Sequence, residues 1–330
     1  MRGQVLTATA VGLTVLATAG LLSLAVGARA IAPADVLDAL LHGGGTQEAA
    51  IVTDVRVPRT LLGIAVGAAL GIGGALMQGL TRNPLADPGL LGVNAGAAAA
   101  VVLAFALGVA GGAGAVWCAM LGAGIASAAV YAIGSAGRGG ATPVRLALAG
   151  TAITAALTAV VSGVVLADEQ LVQQYRAWLV GALGGRGRDE LSTILPFLLA
   201  GGVLAALLAR PLNAIALGDD QARALGARVG ITRIGAAAAV ALLCGASTAA
   251  VGPILFLGLT VPHAARAIAG PDQRWVLALS ALLGAALLLL ADVAGRVLAS
   301  PGEVQAGVMV TVVGAPVFIL LVRRARIAAL

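Results

Sequence analysis

The chain has 330 residues, 60% of them hydrophobic and only 10% charged, with a formal net charge of +6. A water-soluble fold of this length would lack the polar surface to cover itself, so the composition points to an all-α polytopic membrane protein. All 20 basic residues are arginine, and without lysine the Gly-rich loop ending in Lys that cradles nucleotide phosphates is excluded.

A membrane-spanning helix needs ~20 apolar residues. Ten apolar runs approach that length, at 5–27, 58–80, 90–109, 113–135, 144–167, 191–209, 233–252, 255–269, 275–299 and 305–322. The first follows Arg2, is too long for a signal-peptide core and is succeeded by further runs, so it reads as a retained span. The segment 28–57 opens a short helix near 33–41, signalled by Pro33, Asp35 and Asp38. Arg56 and Arg59 flank Val57-Pro58 at the entry to the second run. Within that run Gly63, Gly67 and Gly71 recur every four residues, followed by Gly74, a pattern that lets another helix approach closely.

The fifth run carries Thr151, Thr154, Thr158 and Ser162 on one helical face. Two readings stand for it: one wall of a polar, uncharged pathway, or hydroxyls bonded back to their own helix. Between the sixth and seventh runs lies a polar island, Leu217 to Ile231, where Asp219, Asp220, Arg223 and Arg228 alternate with Ala222, Leu225 and Val229. It predicts one or two short amphipathic helices broken at Gly226, outside the membrane and shaped for a partner to grip. The seventh and eighth runs are split by Gly252-Pro253. In the ninth, Arg296 follows Asp292 by four residues. Arg56, Arg59 and Arg296 are read either as snorkelling and i,i+4 pairing or as cations offered to carboxylates of a partner. Cys118 and Cys244 fall inside apolar runs with no metal-type spacing, which predicts buried thiols, no disulfide and no metal site.

Ten spans put both termini on one side. With the N-terminus inside, the inner segments hold 13 arginines, Arg82, Arg138 and Arg323 among them, against four acids, and the outer segments hold 7 against 10. That bias matches the positive-inside rule and accounts for the basic balance without nucleic acid. The island at 217–231 is then cytoplasmic. The spans hold almost no ionisable residues, which argues against a proton-coupled carrier. There is also no His-Glu-x-x-His, no Gly-x-Ser-x-Gly and no carboxylate pair for intramembrane catalysis. His42 and His263 stand alone.

Taken together these residues resemble the FecCD-type permeases of ABC importers for iron-siderophores, haem or cobalamin. The resemblance runs nearly end to end. It is carried by Arg56-Val57-Pro58-Arg59-Thr60-Leu61, by the string from Gly74 to Gly92 and by Ala177-Trp178-Leu179-Val180-Gly181-Ala182-Leu183. It continues through the island, Gly252 to Leu259, Val261-Pro262-His263-Ala264-Ala265-Arg266, Leu290-Ala291-Asp292 and Gly314-Ala315-Pro316-Val317-Phe318. One departure is Gln305, where such permeases commonly have proline, and it leaves the start of the tenth span open.

The resemblance implies a single transmembrane permease domain over 1–330, without a soluble domain and without catalytic residues. It implies a multi-pass protein of the cytoplasmic (cell inner) membrane, with both termini cytoplasmic. The implied partners are a cytoplasmic ATPase dimer that binds ATP and Mg, a second permease subunit forming a heterodimer, and an extracytoplasmic binding protein that delivers a ferric siderophore for iron uptake. Gly218, Asp219, Asp220, Ala222, Arg223, Leu225, Gly226 and Val229 would form the ATPase-coupling segment, with Arg56, Arg59 and Arg296 docking the binding protein. The Thr151–Ser162 stripe would line the pathway, and no cofactor or metal is expected in the chain itself. Haem or cobalamin import by the same mechanism, an ion-coupled secondary carrier and a non-transporting scaffold are the alternatives.

Overall fold

The computed structural model describes residues 2–27, 30–43, 46–109, 113–136 and 142–328, so Arg138 lies outside the described residues. In chain order the helices are α1 (Arg2–Ala25), α2 (Pro33–His42), α3 (Gln47–Ala50), α4 (Val57–Thr81), α5 (Val93–Ala106), α6 (Ala113–Ser135) and α7 (Pro143–Val165). They continue with α8 (Glu169–Leu179), α9 (Arg188–Ala216), α10 (Asp219–Ala224), α11 (Val229–Val251), α12 (Leu257–Ala269), α13 (Gln273–Leu298) and α14 (Ala306–Ala328).

Each of the ten apolar runs falls on a helix, but seven helices among the described residues are long and apolar enough to cross a membrane. The shortfall has a geometric cause. With 14 and 13 residues, α5 and α12 rise only about 20 Å at ~1.5 Å per residue, against the ~30 Å of a hydrocarbon core. Each is preceded by chain that is not α-helical, 83–92 and 252–256, in which Ala86, Leu91 and Ile254 are buried. Non-helical backbone at membrane depth is tolerated where protein surrounds it. The apolar part of α14, Ala306–Leu320, is also short. Its start lies one residue beyond Gln305, whose carbonyl accepts from Val308 and Met309, so glutamine opens this helix without proline.

The centre of the bundle is α4, with α13, α11, α9 and α12 packed round it. Small residues explain the closeness. A Cβ on Gly67 or Gly71 would run into the α13 backbone at Gly284 or Ser280, and one on Gly74 into Gly258 of α12. The four-residue glycine spacing is therefore a packing seam. The α4 helix is also longer than its apolar run: α3 and a π-helical turn, Ile51–Arg56, lead into it without a break.

The Asn83–Gly92 string forms a 3-10 turn, Pro88–Leu91, wedged against α5 and α7. Asp87 caps it by accepting from Gly89 N at 2.7 Å, and Asn94 just beyond accepts from Thr248 of α11 at 3.0 Å. Helix α2 matches the helix expected at 33–41. Helix α8 was not anticipated: it is polar on most of its surface and buries only Leu171 and Trp178, too few apolar residues to stand out from a loop. Cys244 is buried as expected, whereas Cys118 is only half-buried on α6.

Candidate functional site

The residues singled out above gather at two opposite ends of the bundle. At one end the island forms a single short helix, α10, between α9 and α11. Gly218 (φ +108°) and Gly226 (φ +82°) turn the chain on either side of it in backbone conformations that side chains disfavour. The second expected helix is simply the first turn of α11.

The island divides into anchors and exposed residues. Ala222 and Val229 are buried and pack with Ile215 beneath the turn, so they hold α10 in place instead of meeting a partner. Asp219 is also an anchor: Arg233 Nη2 donates to its Oδ1 at 3.0 Å, and Arg82 Nη2 lies 3.6 Å from the same oxygen. Asp220 and Arg223 form an exposed pair at 3.0 Å. Leu217, Leu225 and Ile231 are 57%, 67% and 61% exposed, three large apolar side chains on an otherwise polar projection. Large apolar side chains exposed on a polar projection suit a contact surface. Sequence reasoning singled out Leu225 from these three and missed Arg82 and Arg233, because Arg233 reaches Asp219 across a turn that no spacing rule predicts.

Below the same end, Asp272 caps α13 by accepting from Arg274 N at 3.0 Å, and it also accepts from Asn213 Nδ2 of α9 at 2.8 Å. The Arg274 side chain, first, and Asn213 hold the Asp272 carboxyl down to about 2.

At the opposite end Arg56, Arg59 and Arg296 are brought together, but they are buried. Arg59 donates to both oxygens of Asp292, Nη2 to Oδ1 at 2.8 Å and Nε to Oδ2 at 3.1 Å. It also donates to both oxygens of Glu303, at 2.8 and 3.1 Å. Arg296 Nη2 lies 3.1 Å from Asp292 Oδ2, and its other donors reach the Ser23 hydroxyl and the carbonyls of Ser23 and Val26. Arg56 Nη1 donates to Leu24 O at 2.6 Å. These guanidiniums join α1, α4 and α13 and are not free cations on the surface, which departs from the expectation of an exposed docking patch. A buried charge is held only when paired, and Asp292 supplies that pairing. Glu303 is the exposed member of the network, and Arg59 beside it holds its carboxyl below the usual range. Neither Glu303 nor Ser23 was singled out from sequence, since both lie far from Arg59 along the chain.

The hydroxyl stripe lies on the outward face of α7. Thr151, Thr158 and Ser162 are exposed and Thr154 is half-buried. The Thr151 hydroxyl bonds back to Ala147 O at 2.9 Å, as the helix-internal reading expects. Any pathway these four line is completed from outside this chain.

Comparison with known proteins places this architecture. The profile of the FecCD transport family matches residues 15–324. The ferric enterobactin transport system permease protein of Escherichia coli (strain K12) is 46% identical over 94% of this chain and 93% of its own length. A siderophore transport system permease protein of Bacillus subtilis (strain 168) is 41% identical over 88% and 87%. A solved structure, described as an inward-facing conformation of a metal-chelate type ABC transporter, superposes with a TM-score of 0.84 at 26% identity, covering 98% of this chain and 99% of that one.

Proposed function

The chain belongs to the FecCD transport family, and from that premise we propose that it is the permease subunit of an ATP-driven importer of a ferric siderophore. The observation that carries the importer reading is the projecting island. It offers Leu217, Leu225 and Ile231 to a partner while Asp219, Ala222 and Val229 tie it to α4, α9 and α11. A force on α10 is thereby delivered to the central helices. The siderophore reading rests on the two relatives described above, whose names specify ferric enterobactin and a siderophore.

In this account a cytoplasmic ATPase pair, holding ATP and Mg, grips α10 and drives alternating access. A second, homologous permease faces α7 and completes a pathway along Thr151, Thr154, Thr158 and Ser162. An extracytoplasmic binding protein docks at the opposite end of the bundle. Because Arg59 and Arg296 are internally paired, docking there proceeds through the exposed Glu303: a carboxylate of the partner replaces it on Arg59, exchanging one bidentate pair for another. Both termini are cytoplasmic in this reading, which the arginine bias supports.

The test is flux. The purified assembly is placed in vesicles with radiolabelled ferric siderophore and its binding protein. Uptake that needs ATP and ignores ionophores supports the proposal. Uptake that collapses with the ion gradient and proceeds without ATP rejects it for a secondary carrier.

A further inference from the structure

A groove between α6 and α11, which no step of the importer account uses, has the character of a lipid site. It consists of two cavities of about 500 and 160 Å³ that share Gly124, Ala241 and Leu242 as lining. Small side chains create it: Gly124, Ala128 and Ala132 on α6 face Ala237, Ala238 and Ala241 on α11. From Trp117 to Tyr131 the groove follows α6 for 14 residues, about 20 Å at ~1.5 Å per residue. Aromatic side chains bracket it. Trp117 stacks edge-on to Phe197 at one end, with centroids 5.6 Å apart, and Tyr131 stands at the other. Tyr131 lies four residues from the end of α6, towards the membrane face where aromatic residues concentrate.

Three further observations identify the occupant. Leu121 and Ile234, both exposed apolar side chains, line its rim, so it opens at an apolar outer surface of the bundle, unlike the hydroxyl-bearing face of α7. Ser127 lines the larger cavity, is 94% buried by its 6% exposure, and its hydroxyl has no hydrogen-bond partner among the described residues. At the Tyr131 end, Arg233 stands one turn from Ala237 on α11, within electrostatic reach of Tyr131, and its buried Nε is also without a partner. Arg233 is itself paired with Asp219, so the exposed cation at this end is Arg228, which stands at the start of α11, and the interior is apolar apart from a single hydroxyl about one turn deeper.

We propose that this groove binds an anionic phospholipid of the leaflet on the island's side. One acyl chain fills the space between α6 and α11, the phosphate meets the exposed Arg228, and the Ser127 hydroxyl donates to a glycerol-ester carbonyl. The spacing agrees: Ser127 is four residues, about 6 Å along the helix, inward of Tyr131. Basic pockets between spans suit such headgroups. Because Arg228 lies between α10 and α11, a lipid held there braces the base of α10. The site stands apart from the importer reading and does not depend on it.

The test is made on the full chain in its purified assembly. Wild type, Ala238→Phe, Ser127→Ala and the surface control Leu207→Ala, exposed on α9 away from the groove, are reconstituted in vesicles of phosphatidylcholine with phosphatidylglycerol. They are then re-extracted in mild detergent, and bound lipid is counted by native mass spectrometry. Wild type and the control retain phosphatidylglycerol in preference to phosphatidylcholine. Ala238→Phe fills the groove and lowers retention roughly ten-fold, a ~1.4 kcal/mol loss, and Ser127→Ala lowers it several-fold while keeping the wild-type melting temperature. Equal retention in wild type and both groove variants overturns the proposal. So does wild type that keeps no lipid, prefers neither headgroup, or carries a protein segment in place of a lipid.

Discussion

The residue with most at stake is Asp292. It is 2% exposed and faces two arginines, so replacing it with alanine leaves both guanidiniums buried with one fewer counter-charge. Breaking a buried pair in this way costs ~3–5 kcal/mol. Asp292→Ala is therefore expected to lower the unfolding temperature of the detergent-solubilised protein sharply, while Glu303→Gln, at the exposed rim, lowers it little. Similar unfolding temperatures for the two variants would contradict the network described here. Asp272 gives a pH-dependent counterpart. Its folded carboxyl titrates at about 2, below the ~3.9 of an unfolded aspartate. The stability it adds is present above the unfolded value and is lost as pH falls from about 4 towards 2. Wild type should lose more stability than Asp272→Asn across that window, and parallel pH curves for the two proteins would remove Asp272 from the account. The Asp292–Arg296 pair was legible as an i,i+4 spacing. The third member, Arg59, was not, because 233 residues separate it from Asp292.

At the scale of elements, hydropathy located the helices well and described their surroundings poorly. Long apolar runs are visible because the bilayer demands them, and Gly252-Pro253 announced the break before α12. Helix α8 and the π-helical entry to α4 were invisible, since both are settled by what they pack against. The glycine seam of α4 was legible as a spacing, and the structure adds its target, the backbones of α13 and α12. Gly71→Leu is accordingly expected to destabilise the fold by at least the ~1–3 kcal/mol of an overpacked core, because the obstruction at Ser280 is backbone and cannot swing aside. Gly202→Leu on α9, where a Cβ meets nothing within 4 Å, should leave the melting temperature nearly unchanged. Comparable losses in the two variants would show that α4 does not depend on that close approach.

At the scale of the whole molecule, the chain is a bundle with one polar network at each end and an apolar body between them. The network at one end pins α10 to the central helices, and the network at the other ties α1, α4 and α13 together beneath Glu303. A permease driven from outside itself needs such an arrangement: a handle, a stiff connection and a far end that responds. The sequence disclosed the handle through its charge pattern, while the division of the handle into buried anchors and exposed contacts required the structure. On the proposed function, the exposed part of the island, with Leu225 at its turn, seats an ATPase. Mass spectrometry of what co-purifies with the chain in mild detergent, wild type against Leu225→Asp, tests it most directly. An ATPase subunit is expected with the wild type and is lost from the variant, whose own fold is unchanged because Leu225 is exposed. An ATPase retained equally by both proteins, or absent from both, would contradict it.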